Sequence, residues 1–245
     1  MRLPLSRRLA LTATAAVGVA ASTLAVAAPA SAAPRVVVGP GSEIDIVQKQ
    51  TADGIEVAAC TVGVLAITPD GRRVGVTAGH CGKVGQEVTV PAPGQARALI
   101  SVGRFEKSSN PPTKMVEGRE VAVDVAHPDW GTVSFKQGVP LANRLGKAAP
   151  RSLGKAKIGD KACSLGRTSG WVCGTVTDVT ANRFRTDLKL RSGDSGASLI
   201  RLSDGAALGI HATGSAEPGN DGSEVSDYWD LGFVLGQAGG LRLAV

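Results

Sequence analysis

From about residue 55 onward, apolar residues come in short runs that stand together or alternate with polar ones, bounded by Gly, Pro, Asp and Asn. That is the pattern of short strands rather than amphipathic helices. "IEVAACTVGVLAI" (55–67) leads through the turn "TPDGRR" to "VGVTAGHC" (74–81), a hairpin by its punctuation. Further β-type runs follow at "QEVTV", "ARALISVGRF", "REVAVDVA" and "WGTVSF". The segment 136–160, "KQGVPLANRLGKAAPRSLGKAKIGD", is basic, rich in Pro and Gly and weakly periodic, and reads as a crossing connection. Strands resume at "KACSLG", "GWVCGTVTDVT", "NRFRTDLKL", "GASLIRL", "AALGIHATG" and "YWDLGFVL". The tail "GQAGGLRLAV" suggests a short helix weakened by its glycines. The expected fold is all-β, two six-stranded antiparallel barrels spanning 56–137 and 159–245, joined by a linker at 138–158.

The opening segment changes the picture. Arg2, Arg7 and Arg8 precede a stretch with no charge until Arg35, and Ala30-Ser31-Ala32 supplies small residues for cleavage. Residues 1–32 read as a secretory signal peptide and 33–55 as an N-terminal extension or short pro-segment. An uncleaved anchor is the alternative, disfavoured because the stretch is mostly Ala and Thr. The expected location is therefore extracellular, with no stable membrane insertion after cleavage. Three of the 27 Lys and Arg lie in the signal, so the remainder faces 21 carboxylates with only a small excess. No nucleic-acid partner is implied.

Four cysteines, Cys60, Cys81, Cys163 and Cys173, fit two disulfides in an exported chain, with three connectivities open. The sequence-local choice, Cys60 with Cys81 and Cys163 with Cys173, staples each half separately and is worth roughly 3 kcal/mol per loop. Zinc is the alternative, but no Cys-x-x-Cys pair is present. No metal or organic cofactor is expected.

The chemistry centres on "RSGDSGASLI" (191–200), where Ser195 stands between glycines and after a carboxylate. Either the turn demands glycine, or Ser195 is a nucleophile whose neighbouring N–H groups must stay open. A base is available in "TAGHCG" (77–82), where His80 sits beside a cysteine whose disulfide would hold it rigid. The orienting carboxylate is Asp129 or Asp124 in "VAVDVAHPDWGTVSF"; Asp129, at the lip of an alternating strand, is favoured. An esterase elbow, Gly-x-Ser-x-Gly, is the competing enzyme, but Ala197 takes its last place and only His211 follows Ser195. A protease-like binding protein without turnover is the non-enzymatic alternative.

The order His80, Asp129, Ser195, with "TAGHCG", "GDSG", "CTVG" and "CSLGRTSGWVCGTVT", resembles the secreted bacterial chymotrypsin-fold serine proteases, the streptogrisins and α-lytic endopeptidases. The resemblance covers roughly Cys60 to Ser215 and implies the chymotrypsin-like double barrel, with a peptide-cleaving site in its crevice. It implies Ser195 as nucleophile, His80 as base, Asp129 as orienter, and the N–H groups of Gly193 and Ser195 as the oxyanion hole. A peptide or protein substrate and a monomeric state follow. It places the substrate backbone along Ala212-Thr213-Gly214. Ser192 and His211 match pocket residues of glutamate-specific relatives, which makes cleavage after Glu or another acidic residue one reading; the other is a pocket for medium apolar side chains in which His211 packs as a strand residue. The third pocket serine of those relatives falls nearest Gly214, with Ser215 one place off. The chain departs in three respects: it lacks the pocket cysteine pair, only about twenty residues separate the expected signal cleavage from the first expected strand where relatives carry a long pro-region, and it carries Ser164 where relatives place a base to neutralise the carboxylate at 194. Cleavage after Arg35, freeing a Val36 amine for Asp194, is one remedy; pairing with Arg167 is another.

Overall fold

Residues rich in Val, Ile and Thr, interrupted every few positions by Gly or Pro, favour extended backbone. The computed structural model describes residues 36–52, 54–116, 119–122, 126–215 and 224–245 and follows that preference. Its strands in the first half are β1 (Glu43–Thr51), β2 (Gly54–Thr61), β3 (Val64–Ile67), β4 (Arg73–Thr77), β5 (Glu87–Ala92), β6 (Gln95–Ser108), β7 (Thr113–Val116), β8 (Arg119–Ala122) and β9 (Gly131–Phe135). The second half holds β10 (Ser152–Leu153), β11 (Lys161–Gly166), β12 (Gly170–Val179), β13 (Arg183–Thr186), β14 (Ser198–Arg201), β15 (Ala206–Ser215) and β16 (Val225–Asp230). A helix, α1 (Leu231–Gln237), and β17 (Arg242–Leu243) end the chain.

The first sheet runs β17-β3-β4-β9-β6-β5-β1-β2. β2 continues directly into β3, and the chain changes partners between them. Val62 N–H donates to Ser42 C=O (2.8 Å), whereas Gly63 N–H donates to Val76 C=O (2.8 Å). The run 54–67 thus pairs with β1 at one end and β4 at the other, closing six antiparallel strands around Ile44, Ile46, Val88, Val90, Phe105 and Val133. In the second sheet β15 pairs with both β14 and β16, so β15-β14-β11-β12-β13-β16 form a closed ring of six. Its core holds Leu188, Leu190, Leu199 and Leu208, with Phe184 stacked on Tyr228 at 5.2 Å. The two-barrel, all-β architecture expected from the sequence is the one observed. A third cluster, Val64, Val74 and Val76 with Ile210, Leu231 and Leu235, joins the barrels.

Three boundaries differ from the expectation. The segment 33–55 is not merely an extension: β1 lies within it, and its alternating Ile44 and Ile46 are fully buried, so the first barrel begins at Glu43. "YWDLGFVL" is strand only to Asp230, whose carboxylate accepts the Phe233 N–H (2.9 Å) and starts α1 there. The tail is helical only at Gly236 and Gln237, where α1 ends; beyond it Arg242 and Leu243 pair with Ile67 and Ala66 of the first barrel, so 159–245 does not belong wholly to the second. The expected signal peptide, Arg35 and Asp124 lie outside the described residues. Among the described residues no helix is long and apolar enough to cross a membrane.

Candidate active site

The disulfides are the sequence-local pairs, Cys60–Cys81 and Cys163–Cys173. The first ties the end of β2 to a single 3₁₀ turn, Gly79–Cys81, which carries His80 at the exit of β4. Cys60, His80 and Cys81 bring three donor atoms within 4.8 Å of one another, but the two sulfurs are bonded to each other and are not thiolates. A tetrahedral zinc site needs thiolate ligands here, so these residues do not fit one.

Asp129 leads into β9 and is 1% exposed. Both of its oxygens serve His80: Oδ1 accepts the backbone N–H (2.9 Å) and Oδ2 faces Nδ1 (2.7 Å). The other ring nitrogen, Nε2, lies 2.9 Å from Ser195 Oγ. The carboxylate thus fixes the position of the histidine backbone and the orientation of its ring. Asp129 is itself held by its neighbour: Trp130 N–H donates to Ser109 Oγ (2.9 Å), and Ser109 N–H donates to Trp130 C=O (2.8 Å).

Ser195 sits in a tight loop between Gly193 (φ 97°) and Gly196 (φ 90°), where an L side chain is strained. A Cβ on Gly196 would also collide with Thr77 Oγ1 and Thr61 C=O, so the loop presses directly onto the first barrel. Thr61 N–H donates to Ser195 C=O (2.9 Å) across that contact. The structure therefore brings together His80, Asp129, Ser195 and Gly193 beside the Cys60–Cys81 disulfide, while Cys163–Cys173 bridges β11 and β12. Among the described residues, Ala212 and Thr213 lie on the stretch of β15 that pairs only with β16, leaving the other edge unpaired there.

Asp194 is fully buried, and its partners are neither Arg167 nor a chain terminus. Its Oδ1 accepts the N–H groups of Thr168 (2.8 Å) and Ser169 (3.1 Å), and its Oδ2 accepts that of Arg191 (2.8 Å). Among the described residues, these three amides satisfy the buried carboxylate's oxygens and no cation pairs with it. Arg167 instead forms its ion pair with Glu43, and Val36 packs against the first barrel's core.

His211 is buried beside this loop, its ring edge-on to Tyr228 with centroids 5.4 Å apart. Among the described residues neither ring nitrogen makes a well-formed hydrogen bond, though the Asp194 backbone is near enough to favour the charged ring. Burial pushes its pKa from 6.5 to about 4, with the Asp194 charge opposing, so the imidazole is neutral near pH 7. Burial likewise raises the Tyr228 phenol above its ordinary value. Ser192 is exposed at the loop's rim. Thr61, Thr77, Ser109 and Thr168 were not singled out by the sequence; each acts through backbone contacts that a motif does not display.

A double antiparallel barrel with this chain of Asp, His and Ser is the arrangement of the chymotrypsin-like serine proteases. The comparisons agree. The chain is 32% identical over 196 residues to streptogrisin C of Streptomyces griseus, an alignment covering 75% of this chain and 38% of that protein. The Nocardiopsis protease NAPase superposes with a TM-score of 0.60 at 25% identity, covering 86% of this chain and all of that one. The Cellulomonas bogoriensis chymotrypsin gives 0.59 at 25% identity, covering 85% and 99%. No protein-family model matches the chain. The chain is a homologue of streptogrisin C with the fold of the bacterial chymotrypsin-like serine proteases, as its motifs imply, though it spans only 38% of that relative's length.

Proposed function

We propose that the protein is a secreted, monomeric serine endopeptidase that works through an acyl-enzyme and prefers an acidic residue, Glu first, on the acyl side. The observation that carries the reaction is the continuous chain Asp129 Oδ2, His80 Nδ1, His80 Nε2, Ser195 Oγ at 2.7 and 2.9 Å. His80 Nε2 takes the Ser195 hydroxyl proton as Oγ bonds to the peptide carbonyl carbon. The tetrahedral oxyanion is met by the N–H groups of Gly193 and Ser195. His80 then gives the proton to the departing amine nitrogen as the C–N bond breaks. The same imidazole then takes a proton from water, whose oxygen bonds to the acyl carbon, and the imidazolium gives that proton to Oγ as the acyl C–Oγ bond breaks.

The acidic preference rests on His211, the buried histidine near the nucleophile loop whose ring nitrogens make no well-formed hydrogen bond among the described residues. A neutral imidazole donates one N–H, and a carboxylate arriving beside it favours a second proton on the ring. A structural neighbour, 23% identical with a TM-score of 0.60, is a glutamic acid specific serine protease that utilizes a histidine triad in substrate binding. Of this chain's three histidines, His80 belongs to the chain of Asp129 and Ser195, and His211, buried with Tyr228 beside it, is the one assigned here to the substrate carboxylate. The test pairs a fluorophosphonate probe with peptides differing only at the acyl-side residue. Labelling of Ser195 that disappears in His80→Ala, with Glu turned over faster than Leu, is the expected result. Absence of labelling overturns the enzymatic assignment, and equal turnover of Glu and Leu overturns the acidic preference alone.

A further inference from the structure

An oxyanion hole made of backbone requires two peptide planes to be held with their N–H groups facing the same point. A trans peptide carries its C=O and N–H on opposite sides, so anchoring the carbonyl fixes the direction of the N–H. The chain has no cis peptide bonds among the described residues. The Asp194–Ser195 plane is anchored locally, its C=O accepting the Ala197 N–H (3.0 Å). The Ser192–Gly193 plane has no such neighbour. Its C=O accepts instead from the hydroxyl of Thr168 (2.7 Å), a residue 24 positions away at the tip of the disulfide-closed β11–β12 hairpin. The N–H groups of Gly193 and Ser195 have no partner among the described residues.

Resting on the endopeptidase function proposed above, we infer that Thr168 is a positioning residue that holds the Gly193 N–H aimed at the oxyanion. The hairpin tip does this as one unit. Arg167 N–H donates to Thr61 Oγ1 (3.1 Å), and that hydroxyl donates to Gly193 C=O (2.9 Å), locking the next plane. The Thr168 and Ser169 N–H groups hold the Asp194 carboxylate. The loop is thus set from 192 to 194 by contacts already within the chain, and its geometry requires no amine freed by cleavage after Arg35. Thr168 is exposed, so its hydroxyl is removable without opening the core.

Thr168→Val keeps the backbone amides on Asp194 and removes the bond to Ser192 alone. Its kcat is expected to fall about 10- to 100-fold, somewhat less than the roughly 10²–10³ lost on deleting an oxyanion donor. KM should stay within about twofold, affinity for a peptide boronate should fall by the same factor as kcat/KM, and Thr168→Ser should restore both. A crystal structure of Thr168→Val is expected to show the Ser192–Gly193 plane rotated. A kcat within about twofold of wild type, or an unrotated plane in that crystal, overturns the inference. If the wild-type protein neither hydrolyses peptides nor reacts with the probe, the proposed function fails, while the plane's orientation in the two crystals still decides the role of Thr168.

Discussion

His211 couples the fold to pH through a single side chain. Folding lowers its pKa from 6.5 to about 4 because the charged ring is excluded from water. Between those values the unfolded chain binds a proton that the native chain refuses, so stability rises with pH across this window and is flat above it. Acidification from pH 6.5 to 4 should therefore cost up to about 3 kcal/mol at this site. Phe at position 211 keeps a ring against Tyr228 and removes the proton. Urea midpoints of His211→Phe are expected to fall less steeply than those of wild type as pH drops from 6.5 to 4, and equal slopes would refute the assignment. At this scale the sequence was informative where chemistry demands a side-chain type: Ser195, His80 and Asp129 were legible from their motifs. Thr168 and Thr61 were not, because their hydroxyls reach backbone carbonyls 24 and 132 residues away. The partner of Asp194 was hidden for the same reason: the sequence invites a search for a cation, and main-chain N–H groups answer.

At the scale of elements, alternation identified strands well and failed where a short apolar run carried two structures. "YWDLGFVL" holds strand and helix in eight residues, and only Asp230 marks the change. An Asp immediately before an apolar run is a helix start signal, but a run this short is equally a buried strand by pattern. Asp230 Oδ1 accepts from Phe233 N–H (2.9 Å) and pairs with Lys155 Nζ (2.7 Å). Lys155 is largely exposed, so the ion pair contributes little and the cap carries the effect. Asp230→Ala should lower unfolding stability by about 1 kcal/mol, and Asp230→Asn, which keeps the accepting oxygen, by a few tenths. Equal losses in both variants would shift the role from cap to charge. β1 is a different case: Ile44 and Ile46 alternate legibly, but the segment follows an expected cleavage site, where an extension or short pro-segment is the simpler reading.

Across the whole molecule, the reactive distance of 2.9 Å between His80 and Ser195 spans two barrels, with His80 and Asp129 supplied by the first and Ser195 by the second. Whatever fixes one barrel against the other fixes this distance. The C-terminal tail is part of that fixture: it leaves α1, packs Leu241 into the shared cluster, and joins β3 through Arg242, Leu243 and the Ala244 N–H bond to Leu65 C=O (2.9 Å). No local pattern could assign this tail to the first barrel, because its partner strand lies far away in sequence. Leu241 burial alone is worth about 2 kcal/mol, so deleting residues 240–245 should lower the thermal midpoint by several degrees. The deletion leaves both disulfides, the triad and the hairpin tip chemically intact. Ser195 labelling by a fluorophosphonate should nevertheless slow at temperatures where the truncated protein is still folded, since the two halves of the triad are then less firmly opposed. A lowered midpoint with an unchanged labelling rate would mean that the tail stabilises the fold while the inter-barrel contacts of Thr61 and Gly196 suffice to align the triad.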